Sequence, residues 1–153
     1  MLNFYRTKTA MRISAQYPAF TPSTLFIITN HAIARPFVAN DREFVELPTI
    51  TTTPEEKLAV HALVAPFDQT DLDLPELIAL AALCQKLAQL IPQIQSHQAC
   101  TNIAVALPNI NRNLFFALIP EEFKLTINNT ITKNLASMEA AHILRIIGEG
   151  KLN

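Results

Sequence analysis

Residues Thr24 to Leu47, TLFIITNHAIARPFVANDREFVEL, limit the possible folds more than any other stretch. Thr24 to Thr29 is an apolar, β-branched run of the kind that fills a buried strand. Ala34 to Ala39 supplies a second run, and Asn40-Asp41 after it is a two-residue hairpin signal. Arg42 to Leu47 then sets Phe44 and Leu47 against Glu43 and Glu46, with Val45 breaking strict alternation. Three strands so close in sequence read as an antiparallel meander. Pro36 has no N–H to give a ladder, which predicts that the second strand has an exposed side. The first turn carries Asn30 and His31, with Arg35 a few residues on, and these are the conspicuous polar side chains of an apolar region.

Beyond the meander the pattern changes to helices alternating with strands. Thr51 to Pro54 reads as a loop and His61 to Phe67 as a short strand. Asp73, Pro75 and Glu76 form a helix start, with a capping side chain, a proline in the first turn and the return partner of a capping box. Leu77, Leu80, Ala81, Cys84, Leu87, Ala88 and Ile91 follow on one stripe, and Pro92 ends or kinks this helix. Asn102 to Leu107 is a buried strand. Pro108 and Asn109 open a helix through Ile119, and Pro120-Glu121-Glu122 marks a new start. Lys124 to Thr132 favours a strand but is broken by Asn128-Asn129. Ser137 caps a last helix, Met138 to Ile147, with Gly148 as its stop. The expected fold is α/β: a mixed β-sheet with the N-terminal meander and about three helices packed on it. Residues 1–22 form a flexible lead or an edge strand, and 23–153 a single domain.

Composition narrows the function classes. Two glycines among 153 residues exclude a glycine-rich phosphate loop. A net charge of −1 gives no global pull toward nucleic acid. Charge is unevenly placed. Arg6, Lys8, Arg12 and Arg35 occupy residues 1–40 without an acid, whereas 41–76 hold nine acids against Arg42 and Lys57. Charged residues reach only 16%, against a usual ~25%, so some apolar surface is left to meet a partner, including a second copy in a homodimer. Cys84 and Cys100 match no metal spacing and read as buried thiols. No apolar leader segment follows the N-terminal charges, and Leu77 to Ile91 is too short and too interrupted to span a membrane. A cytoplasmic protein is the simplest expectation.

Candidate chemistry is sparse. His31, His61, His97 and His142 are scattered, and Asp68, Asp71 and Asp73 lack the glycine of a tight cation loop. No metal or other cofactor is expected. A Gly-x-Ser-x-Gly elbow is missing. The candidate binding residues are Asn30, His31 and Arg35 in the meander, and Asn109, Asn111 and Arg112 after the strand 102–107, where α/β sheets place their binding crevices. Arg35 suits a phosphate, and equally an internal pair with an acid across the meander.

Two segments resemble the bacterial host-attachment protein family, relatives of the bacterial branch of archaeo-eukaryotic release factor domains. Phe26 to Phe37, FIITNHAIARPF, is similar to that family's strand, polar turn and Ala-Arg-x-Phe. Ala106-Leu107-Pro108 resembles its Ala-Pro-Pro strand end, and Thr132-Lys133-Asn134-Leu135 its Lys-Asp-Leu-Thr segment. Asn30 and Asn134 stand where the family carries Asp, and NINRNL at 109–114 lacks its Leu-Gly-x-Leu-Arg pattern. Release factors cleave with a Gly-Gly-Gln loop, and this sequence has only Gly148 and Gly150. The resemblance implies a non-catalytic host-attachment or release-factor-like binding domain that associates with ribosomal RNA or a protein partner. A homo-oligomeric interaction protein is the alternative, and a small-molecule-binding or hydrolytic enzyme a third.

Overall fold

The computed structural model describes residues 9–67 and 70–150. The fold is α/β. Strands β1 (Thr9–Arg12), β2 (Phe20–Thr29), β3 (Ile33–Asp41), β4 (Glu43–Glu46), β5 (Ile50–Thr51), β6 (Asn102–Leu107) and β7 (Asn129–Thr132) form one mixed sheet. Its order is β1-β4-β3-β2-β6-β7, with β5 paired to the start of β3. Strands β2, β3 and β4 are the antiparallel meander, and β6 and β7 run parallel to β2. Thr9–Arg12, from the expected lead, is the edge strand beside β4, and residues 1–8 lie outside the described residues.

Helices α1 (Pro54–Ala59), α2 (Leu74–Gln98), α3 (Asn109–Leu118), α4 (Glu121–Lys124) and α5 (Ala140–Gly148) cover the sheet. Along β2, Leu25 and Ile27 join Leu80, Leu83 and Leu87 of α2 and Phe115 of α3 in one core. Phe26 and Ile28 join Ile143, Leu144 and Ile147 of α5 in the other. Successive side chains of a strand face opposite ways, so a strand covered on both faces must be apolar at every position. That is why Leu25 to Ile28 is an unbroken apolar run.

Several local expectations are corrected by the chain's long-range pairing. Asn40 pairs with Glu43, so the hairpin turns at Asp41-Arg42, one residue later than expected, with Asp41 left-handed at φ 52. Pro36 sits in an interior strand. Its carbonyl accepts from the Leu47 amide (2.9 Å), and its missing donor falls on that side, where β4 has already ended at Glu46. His61–Phe67 is a 3₁₀ helix, and Thr53 begins α1 with a capping box to Glu56. Pro92 does not end α2, which runs on to Gln98. The last helix starts at Ala140 with Glu139 as its N-cap, and Ser137 lies in a turn before it. Gly148 is inside that helix. A Cβ there would stand 2.7 Å from Cδ2 of Tyr17, so close packing demands the glycine.

Helix α2 extends beyond Leu77 to Ile91 at both ends and, by length and composition alone, is long and apolar enough to cross a membrane. Leu77, Leu80, Leu83, Leu87, Ile91 and Ile94 spend that apolarity on the core. Cys84 and Cys100 are free and buried. Burial pushes the Cys100 thiol up to about 11 and the Cys84 thiol higher.

Candidate site at the carboxyl ends of the parallel strands

The register places one end of three strands at one level. Ile28 pairs with Ala106, and Leu107 with Thr132. The segments that follow are the Asn30–Ala32 turn after β2, Pro108 and the start of α3 after β6, and Lys133 after β7. Helix α2 also starts here, since Glu76 Oε2 lies 3.9 Å from Nε2 of half-exposed His31.

Asn30 makes the turn. Its Oδ1 accepts from the amides of Ala32 (2.7 Å) and Ile33 (2.9 Å), a side chain standing in for backbone. Its own amide donates to the Ile33 carbonyl at 3.1 Å. Both bonds to Oδ1 use only its acceptor lone pairs, so the turn needs a carboxamide or carboxylate oxygen and no charge.

Helix α3 begins without a side-chain cap, because its N-cap is Pro108. Helix α2, by contrast, closes its first turn with Asp73 and Glu76. Asn109 and Arg112 are exposed on the first turns of α3. Asn111 is buried, on the face that Phe115 continues into the core, and neither its Oδ1 nor its Nδ2 has a hydrogen-bond partner. An unmet buried amide costs ~1–3 kcal/mol. Helical side chains lean toward the N-terminus, which sets this amide beneath the uncapped turn.

Arg35 does not join them. In β3 it shares the face of Phe37, toward α5, and its Cζ lies 5.3 Å from that ring's centre. Nε and Nη2 take both oxygens of Glu46, at 2.9 and 3.3 Å. Nη1 donates to the carbonyls of Ala136 (3.0 Å) and Met138 (2.5 Å). Glu46 is itself only 4% exposed. This is an internal anchor that ties the meander to the segment entering α5, with four of the five guanidinium N–H donors spent inside the fold. The set expected from sequence therefore divides: Asn30, His31, Asn109, Asn111 and Arg112 share one end of the sheet, and Arg35 is structural.

Lys133, half-buried just past β7, belongs to the same end and was not among the expected residues. The sequence reading of Lys124 to Thr132, a strand broken at Asn128-Asn129, ended beside it, but only the parallel pairing of Asn129–Thr132 with β6 brings it here. Asp73 is spent on capping, Asp71 is exposed, and Asp68 lies outside the described residues. Among the described residues no group of three or more His, Cys, Asp or Glu is placed to hold a metal ion. No protein-family model matches the chain, and no curated protein matches it.

Proposed function

We propose that this chain is a non-catalytic binding domain of the host-attachment or release-factor-like kind, cytoplasmic, that engages RNA at the carboxyl ends of β2, β6 and β7. The observation that carries the reading is the uncapped start of α3. Backbone N–H groups at a helix start favour a phosphate oxygen. Arg112 and Lys133 add positive charge around it, and Asn109 and His31 offer hydrogen bonds to bases or ribose. Asn30 carries a carboxamide where a general base would need a carboxylate, which favours binding over catalysis. With a net charge of −1, affinity rests on these few contacts and falls steeply with salt. The test is fluorescence anisotropy with a ribosomal RNA fragment over a salt series. Arg112→Ala should weaken binding and reduce the salt slope by about one. Absence of salt-sensitive binding at low ionic strength would reject the reading.

A second reading, self-association, has its own observation. Leu58, 76% exposed, lies on an open and largely apolar surface shared with Pro54, Lys57, His61 and Ile78. Light scattering after size exclusion decides it. A dimer that Leu58→Glu converts to monomer would favour it, and a monomer at high concentration would remove it.

A further inference from the structure

The amino ends of β6 and β7 carry a second cleft, on the face of the sheet that packs against α5. Register sets the side chains of that face in rows across β2, β6 and β7. Ile28, Ala106 and Ile131 form the row nearest the carboxyl ends and meet Ile143 and Ile147 of α5 in the core. Phe26, Ala104 and Asn129 form the next row, and Thr24 and Asn102 the one after it. Alternate residues of a strand share a face, so all three rows point the same way. The two rows nearer the amino ends, with Phe20 and Asn128, line a cleft of about 150 Å³. Ala104 accounts for the hollow, because its methyl stands between the larger Phe26 and Asn129. Phe20, packed edge to face with Phe26 at 5.5 Å, gives the cleft an apolar wall.

The rest of the lining is made of uncharged hydrogen-bonding groups. The side chains of Asn102 and Asn129 have no hydrogen-bond partner among the described residues. Asn128 is pinned to β6: its Oδ1 accepts from the Ile103 amide (2.8 Å), and its own amide donates to the Ile103 carbonyl (2.8 Å). Its Nδ2 is left as a donor. The Thr24 hydroxyl donates to the Pro22 carbonyl (3.3 Å), and its oxygen is left as an acceptor. Among the described residues no charged side chain lines the cleft, so it favours neither a cation nor an anion.

Carboxamides donate and accept alike, as hydroxyl groups do. Asn102 and Asn129 stand on a diagonal of neighbouring strands, about 7–8 Å apart. The adjacent donor and acceptor on one edge of a nucleobase cannot reach both, whereas hydroxyls on opposite sides of a sugar ring can. Phe26 is only 2% exposed and offers no open ring for a base to stack on. We propose that this cleft binds a neutral sugar, one pyranose ring at a time. The C–H face of the ring rests against Phe20, and its hydroxyls exchange hydrogen bonds with Asn102, Asn129 and Nδ2 of Asn128. A volume below the ~300–1,000 Å³ of drug-sized pockets limits the ligand to a single ring.

The test is a titration of the full chain with methyl glucopyranoside, followed by backbone and side-chain amide chemical shifts, with cyclohexanol and uracil as comparators. The sugar should give saturable shifts in the millimolar range, confined to residues 20–26, 102–104 and 128–129 and including the side-chain amides of Asn102 and Asn129. Its affinity should be the same at low and high salt, because no charge is involved. Asn129→Ala, at an exposed position, should weaken the sugar by roughly three- to tenfold, the loss of one hydrogen bond. Ala104→Val, which fills the hollow, should weaken it as well. Cyclohexanol binding as tightly as the sugar would show that the amides contribute nothing, and uracil binding as tightly would show a base site; either result overturns the proposal. So do shifts that fail to saturate or that map elsewhere, or an Asn129→Ala variant with unchanged affinity. RNA binding at the opposite strand ends is salt-sensitive and read by anisotropy, so either site can fail alone.

Discussion

Arg35 shows how one side chain can be conspicuous in a sequence for a reason other than function. Four of its donor contacts are satisfied within the fold, two by Glu46 and two by the carbonyls before α5. Arg35→Ala would remove the guanidinium that holds both oxygens of almost wholly buried Glu46 and two carbonyls, and breaking a buried pair costs about 3–5 kcal/mol. Urea unfolding should show that loss as a lower midpoint with an unchanged slope. Arg35→Lys should recover only part of it, because a lysine cannot span both Glu46 oxygens and two carbonyls in one plane. A midpoint within experimental error of the parent in Arg35→Ala would refute the anchor role. The sequence already offered this pairing, since Glu46 lies on the next strand of the meander, yet it equally offered a phosphate. The choice depended on which face of β3 residue 35 occupies, and that parity is fixed by the burial of Ala34 against α2 and Phe37 against α5. Asn111 was legible as one of several asparagines after a strand. That its amide is buried without partners was not, because burial of one helical face depends on where α2 lies.

At the scale of elements, the helix starts were the most legible features, and their chemistry is measurable. Asp73 and Glu76 close the start of α2 as their spacing implied. Thr53 and Glu56 do the same for α1, in a stretch that reads locally as a loop, because a six-residue helix is too short to show periodicity. The Glu56 carboxyl is held below its ordinary value, first by the Thr53 backbone amide at 2.8 Å and then by Lys86 at 3.0 Å. A depressed folded-state pKa adds stability above the ordinary carboxylate range and loses it as pH falls through the folded value. Glu56→Gln should therefore lower stability at neutral pH and flatten the acid limb of the stability curve. Thr53→Ala should cost about 1 kcal/mol. Thermal melts between pH 3 and pH 7, on the order of the carboxylate range, check both; parallel acid limbs for Glu56→Gln and the parent would exclude the linkage. The reverse failure, His61–Phe67 read as a strand, has a matching cause. A short apolar run has no period of its own, and among the described residues the 61–67 segment pairs with no strand of the sheet.

For the molecule as a whole, the sheet joins two kinds of pairing that differ in how far the chain must travel. β2 meets β3 through the Asn30 turn, but meets β6 only when Thr24 finds Asn102, with α1 and α2 looped out between them. Local hairpins close at small entropic cost and distant parallel pairs at larger cost. The meander should therefore form in the folding transition state and β6 should dock after it. Val38→Ala should mainly slow folding, with φ above roughly 0.5, and Val105→Ala should mainly speed unfolding, with φ below roughly 0.3. Urea chevrons that assign these the other way round would reverse the order. Strand order and parallel register were the least legible features, because nothing within Asn102–Leu107 names its neighbours. The unbroken apolar run of β2 carries a consequence for synthesis. Leu25 to Ile28 leave the ribosome long before Asn102 to Leu107 exist to cover their open edge or α5 exists to cover their second face. During that interval the nascent chain displays an apolar ribbon with an unpaired ladder, the kind of surface on which chaperones and aggregation compete.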